Sequence, residues 1–227
     1  MRTAAVALLA LCMGCASIVP IEEIAPVVAS DALERLPQAG RRQIATGRID
    51  FPLLAAAVFV ESNRERRKHD LPSLAYLPAL ETISTLHASD MALHRFFNHV
   101  NPVDAYRRTL ADRLDLVDLP ASFYAENIAR TFPLQIDIRT DQPGALHSTV
   151  YPLDTPGQFS LTPNGPPILP HTYASFARDL VEDWMDSPSH RSNLLDTQAK
   201  YLGCGCALEV DEVGFPTLVC GQVFYAY

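Results

Sequence analysis

The C-terminal end of the chain constrains its fold more than any other stretch. Residues 200–210 and 216–226 read as two strands around a short turn, Asp211 to Phe215. A turn centred on Val213 places Cys206 opposite Cys220, and cross-strand neighbours are close enough for a disulfide. Cys206–Cys220 is therefore the favoured bridge, with Cys204–Cys220 the alternative in a different register. A metal site at Cys204-Gly205-Cys206 is disfavoured, because no fourth ligand stands at useful spacing.

The segments before this hairpin are mostly helical. Leu53 to His69 has helical character and meets no Pro or Gly until Pro72. From Pro78 to Arg95, the residues Leu80, Ile83, His87, Met91 and His94 form one stripe at 3–4 spacing, with Pro78 suited to a first helical turn. His87 and His94 read as packed, hydrogen-bonded core histidines. Val103 to Leu114 is expected to be a third helix. Tyr173 to Asp186 is a fourth, with Phe176, Leu180 and Trp184 one turn apart and Trp184 in the core. A strand is expected near Glu126. Helices first and a hairpin last predict an α+β fold, in a three-layer α-β-α arrangement. Residues 131–171 are long, Pro-rich and weakly patterned, which predicts a functional insertion or flap.

The chain begins with a targeting segment. Arg2 is followed by an apolar run, Thr3 to Leu11, and then Cys12-Met13-Gly14-Cys15. The run is too short to span a bilayer and reads as a signal peptide. Gly14-Cys15 resembles a bacterial lipobox, which would make Cys15 the acylated N-terminus. Cys12 stands where Leu is usual, and ordinary signal-peptidase cleavage nearby is the alternative. The expected organisation is a signal peptide over 1–15, a spacer over 16–52 and one domain over 53–227. The protein is expected to be exported to the cell envelope or beyond, with membrane contact through the N-terminal lipid only. The formal charge of −8 gives no footprint for nucleic acid. Arg64, Arg66, Arg67 and Lys68 interleave with Glu61 and Glu65 at helical spacing, which predicts a solvated helix face.

Six motifs follow in order. They are Val60-Glu61-Ser62-Asn63 with Arg66, His87-Ala88-Ser89-Asp90-Met91-Ala92, and Phe96-Phe97-Asn98-His99-Val100-Asn101-Pro102. Then come Ala125-Glu126-Asn127-Ile128-Ala129, the run Trp184 to Leu195 with Ser187-Pro188-Ser189-His190-Arg191-Ser192-Asn193, and Tyr201-Leu202-Gly203-Cys204-Gly205. Together they resemble the bacterial branch of the CAP superfamily: cysteine-rich secretory proteins, antigen 5 and pathogenesis-related 1 proteins, also called SCP-like domains. The resemblance implies an α-β-α sandwich with a central antiparallel sheet.

It also implies a cleft with two histidines and two acids. His99 and His190 match the histidines and Glu126 the first acid. The second acid's position holds Ser187, with Asp183, one turn back, as a substitute and Asp186 pointing elsewhere around the helix. Two neutral imidazoles, His99 and His190, beside a carboxylate would suit Zn²⁺ with water in an open position. The expectation is an extracytoplasmic binding or interaction module rather than an enzyme, taking a small hydrophobic ligand such as a lipid, a peptide or a wall fragment. A metal-dependent hydrolase using His99, Glu126 and His190, and a structural envelope lipoprotein, are the alternatives. No serine stands in a nucleophile-elbow context, and the strand cysteines lack a setting that would activate a thiolate.

Overall fold

The computed structural model describes residues 29–136 and 150–227. The expectations for Cys12 and Cys15 lie outside these residues, as does the middle of the 131–171 insertion. The first described element is helix α1 (Ala29–Ala39), followed by α2 (Phe51–Lys68), strand β1 (Ala75–Tyr76) and α3 (Pro78–His94). A single 3₁₀ turn (Ala105–Arg107) leads to α4 (Leu110–Asp115) and β2 (Phe123–Thr131). The chain continues through β3 (Tyr151–Pro152), β4 (Phe159–Ser160), α5 (Tyr173–Asp186), α6 (Pro188–Leu194), β5 (Tyr201–Val210) and β6 (Pro216–Ala226).

The main sheet has the order β1-β5-β6-β2. Its three long strands pair antiparallel, and β1 adds a two-residue parallel edge beside β5. That edge makes the sheet mixed, where a purely antiparallel one was expected. Every residue of β6 is buried, as a central strand covered on both faces must be. Leu218, Cys220 and Phe224 point to one face, against α2 and α5. Val223 and Tyr225 point to the other, against Leu80 and Ile83 of α3 and Leu114 of α4. The layers are therefore helix, sheet, helix, and the fold class is α+β.

The hairpin register pairs Cys206 with Cys220 across a five-residue turn at 211–215. The two cysteines form a disulfide with Cα atoms 4.1 Å apart, and Cys204 is a buried free thiol. Asp211 shapes the turn, its carboxylate accepting from the N–H groups of Val213 and Phe215.

Helix α3 lies unusually close to the sheet. A Cβ on Gly203 would stand 2.2 Å from the Glu81 nitrogen, and one on Gly205 2.4 Å from the Thr85 nitrogen. Glycine at both positions is what lets the helix backbone touch the strand.

Several elements differ from expectation. The third helix is broken: Asp104 caps the 3₁₀ turn, and Thr109 with Asp112 builds a capping box that starts α4 afresh. Arg66 is not on a solvated face but wholly buried, donating to the carbonyls of Pro72, Leu194 and Asp196. It thereby receives the C-terminal end of α6. Its neighbours Arg64 and Lys68 do make exposed pairs with Glu61 and Glu65. His87 is buried as expected, whereas His94 in the last turn of α3 is only half-buried. Within the stretch read as a spacer, α1 packs on α2, Ile44 enters the core, and the Ile44 N–H donates to the His171 carbonyl at 2.7 Å. Described parts of the insertion contribute Leu134 and Phe159 to a small apolar cluster on Phe215 of the hairpin turn.

Candidate functional site

The site grows from the loop after α3. Arg95 ends that helix in the left-handed conformation (φ 54°), which turns the chain back toward the sheet. The loop is then fixed from beneath. The Asn101 side chain accepts from the N–H groups of Val103 and Asp104 and donates to Asp90 at 2.8 Å. Arg107 clamps the other oxygen of Asp90. His87, reaching up from α3, meets the Asn98 carbonyl at 3.0 Å through Nε2. Burial, and then the charge of Arg113, hold the His87 pKa down to about 4, so it is neutral and donates.

This scaffold presents His99 to Glu126, which β2 carries inward. His99 Nδ1 lies 2.9 Å from Glu126 Oε2. The second oxygen, Oε1, accepts from Arg113 Nη2 at 2.7 Å. Arg113 is wholly buried and also reaches the His99 carbonyl at 3.4 Å. The Glu126 side chain is 4% exposed and that of His99 is 53% exposed. Burial alone would raise the Glu126 pKa, but the His99 hydrogen bond and the Arg113 charge outweigh it and hold the carboxyl below its usual value. An ionised carboxylate only accepts, so the proton between the two groups belongs to His99 Nδ1. The ring's Nε2 makes no hydrogen bond among the described residues.

His190 arrives from the other side on α6. Pro188 opens this short helix, and Ser187 joins it to α5, serving as C-cap of one and N-cap of the other. Strand β2 is an edge of the sheet, and α6 covers that edge. Asn193 donates to the Glu126 carbonyl at 3.2 Å and to Asn127 Oδ1 at 2.9 Å. Asn127 in turn donates to the His190 carbonyl and to Gln222, which donates to Ser62. Buried amides are tolerated because each finds a partner. Burial, and then the nearby His99, lower the His190 pKa, so this imidazole is uncharged at neutral pH.

The structure thus brings His99, Glu126 and His190 to one edge of the sheet, with Ser187 at the α5–α6 junction. It does not bring in a second acid. Asp183 is exposed, and the charges acting on it are those of Asp179, Asp186 and Glu182 rather than the two histidines. These acids line a separate groove of about 950 Å³ with Arg130 and His171.

Glu126 is not placed as a free third ligand beside the two imidazoles of the expected zinc site. Both oxygens of Glu126 are engaged within the protein, one of them by a buried cation. Among the described residues, no group of three or more His, Cys, Asp or Glu side chains is placed to hold a metal ion. The carboxylate orients His99 instead of standing beside it as a ligand.

Arg113 was not legible as a site residue, for it stood in an expected helix with no motif around it. Asn127 and Asn193 did lie inside recognisable motifs, next to Glu126 and His190.

Three kinds of comparison bear on the chain. No curated protein matches it. Among solved structures it resembles an extracellular SCP-domain protein from Bacillus anthracis (21% identity, TM-score 0.47, covering 78% of this chain and 41% of the other). It also resembles an outer surface protein from Borrelia burgdorferi (16%, TM-score 0.45, 74% and 88%) and a cysteine-rich secretory protein from Staphylococcus aureus (14%, TM-score 0.45, 78% and 40%). The chain spans less than half the length of the first and third of these. The model of the cysteine-rich secretory protein family, CAP, matches residues 61–221, which include the whole His99–Glu126–His190 edge, and the chain belongs to that family.

Proposed function

We propose that this CAP domain is an exported binding module whose cleft, at His99 and His190, takes a polar group of an envelope ligand such as a lipid, a peptide or a wall fragment. One observation carries the reading. Arg113 and His99 occupy both oxygens of the buried Glu126, so the carboxylate positions an imidazole and is not free to act as a base or a ligand. Ser187 supplies no second acid. What is left for a ligand is the His99 ring, half exposed and held by Glu126, with the uncharged imidazole of His190 near it on α6, and both can exchange hydrogen bonds. Export is supported by the Arg2–Leu11 segment and by a disulfide of the kind that persists in oxidising compartments. Attachment through Cys15 is the matching proposal for the anchor.

The test is a titration of the full protein followed by histidine side-chain NMR. A muramyl peptide, a short-chain phosphatidylglycerol and zinc chloride serve as separate probes. The expected result is that the His99 and His190 rings shift together and saturably with one organic probe, and that His99→Ala/His190→Ala abolishes that binding. Zinc should give no stoichiometric site. Rings that ignore both organic probes, or one equivalent of zinc held by both rings, would overturn the reading.

A further inference from the structure

The segment that carries His99 has a second property, which is independent of what the cleft binds. Between Leu93 and Arg108 it exposes Leu93 (67%), Phe97, Val100, Val103 and Tyr106 (83%) to solvent. Monomeric soluble proteins scatter such side chains; five within one short segment mark an interaction surface. The segment is not loosely held. Its polar residues are spent underneath, in the Asp90–Asn101–Arg107 cluster and the His87–Asn98 contact, so the backbone that displays the apolar side chains is fixed.

Charge selects the partner. Residues 93–108 hold three arginines against one aspartate, in a chain whose formal charge is −8. Asp104 and Asp90 are paired with Arg107. The exposed side chains of Arg95 and Arg108 make no hydrogen bond or ion pair among the described residues; the charge of Arg108 acts only at a distance on Asp112, whose oxygens are engaged by the capping box with Thr109. Phe97 lies under the Arg130 guanidinium, which is paired with Glu209, while the other apolar side chains share the segment with the unpaired guanidinium groups of Arg95 and Arg108. This apolar and net basic surface matches the interface of an anionic bilayer, with headgroup phosphates for the arginines and the acyl boundary for the apolar residues.

We propose that residues 93–108 form a membrane-docking surface that enters the interface of an anionic lipid bilayer. Docking there would hold the His99 cleft at the membrane surface, whatever the cleft accepts.

The test places an indole at each of two exposed positions of the full-length protein. One variant is Tyr106→Trp. The other is Val60→Trp, on α2 across the sheet. Trp184, which is buried, contributes the same background to both. Fluorescence is read on phosphatidylglycerol-containing vesicles whose lipids carry a spin label near the glycerol backbone. Comparing two positions makes the result independent of any binding by the N-terminal apolar segment. The expected result is quenching several-fold stronger in Tyr106→Trp than in Val60→Trp. Adding Arg95→Asn and Arg108→Gln should weaken the quenching-competent binding about fivefold for each arginine. Asn is chosen at 95 because it tolerates the left-handed conformation. Equal quenching at both positions, or none at either on bound protein, overturns the proposal. Insensitivity to the arginine changes overturns the choice of an anionic surface. Self-association through the Tyr106 face without quenching would make it a protein-docking surface and also defeat the proposal.

Discussion

Replacing Arg113 with Met is expected to destabilise the protein by about 3–5 kcal/mol at neutral pH, the range for stripping the partner from a buried charge. The size follows from the geometry. Arg113 is wholly buried and its Nη2 lies 2.7 Å from Glu126 Oε1, so its loss leaves a carboxylate in the interior with only His99 beside it. The penalty has a definite pH dependence. In the wild type, Glu126 has a folded pKa below its ordinary value, so its stabilising contribution is present above the unfolded pKa. That contribution is lost as pH falls through the lower, folded pKa. In Arg113→Met the carboxyl is no longer held ionised and takes up a proton more readily. Urea unfolding should therefore show a large deficit at pH 7 that shrinks on acidification toward pH 5. A deficit that is constant with pH would mean that Arg113 matters for packing alone. Glu126→Gln added to Arg113→Met should recover much of the loss, because it removes the stranded charge.

The second large effect is expected at the contact between α3 and the sheet. Gly205→Ala should cost about 3 kcal/mol and lower Tm by roughly 6–12 °C. The added methyl would stand 2.4 Å from the Thr85 nitrogen and 2.7 Å from its Cα. Those are backbone atoms of α3, so no side-chain rotation relieves the clash and the helix must lift. Lifting it would loosen Leu80 and Ile83 from Val223. It would also move His87 away from the loop that carries His99. Gly47→Ala is the control, since nothing lies within 4 Å of its Cβ position, and it should change stability by less than about 0.5 kcal/mol. Thermal unfolding of the two variants beside wild type checks both. A Gly205→Ala protein as stable as Gly47→Ala would show that α3 does not lie as close to β5 as described.

The sequence revealed the frame better than the site. The closing hairpin was legible because its two strands flank a short turn, and a turn centred on Val213 fixes Cys206 opposite Cys220. The long helices were legible from their apolar spacing. The break between Ala105 and Leu110 was not, because it depends on Thr109 and Asp112 capping one another, a local contact that overrides the helical run on either side. The burial of Arg66 is hidden in the sequence for a related reason. Its neighbours at helical spacing pair in solvent, and only the tertiary fold reveals that α6 ends where Arg66 can receive its carbonyls.

His99, Glu126 and His190 were named through a family resemblance, since nothing in their spacing along the chain brings them together. What the resemblance did not carry was Arg113, and Arg113 changes the chemistry. With a guanidinium on one oxygen and an imidazole on the other, Glu126 becomes the positioner of His99.

The most direct test of this account is the tautomer of His99 in the wild-type protein, read from histidine-selective ¹H–¹⁵N spectra at neutral pH. The expected result is a proton on Nδ1, hydrogen-bonded to Glu126. A His99 ring with its proton on Nε2, or one averaging freely between the two forms, would contradict it.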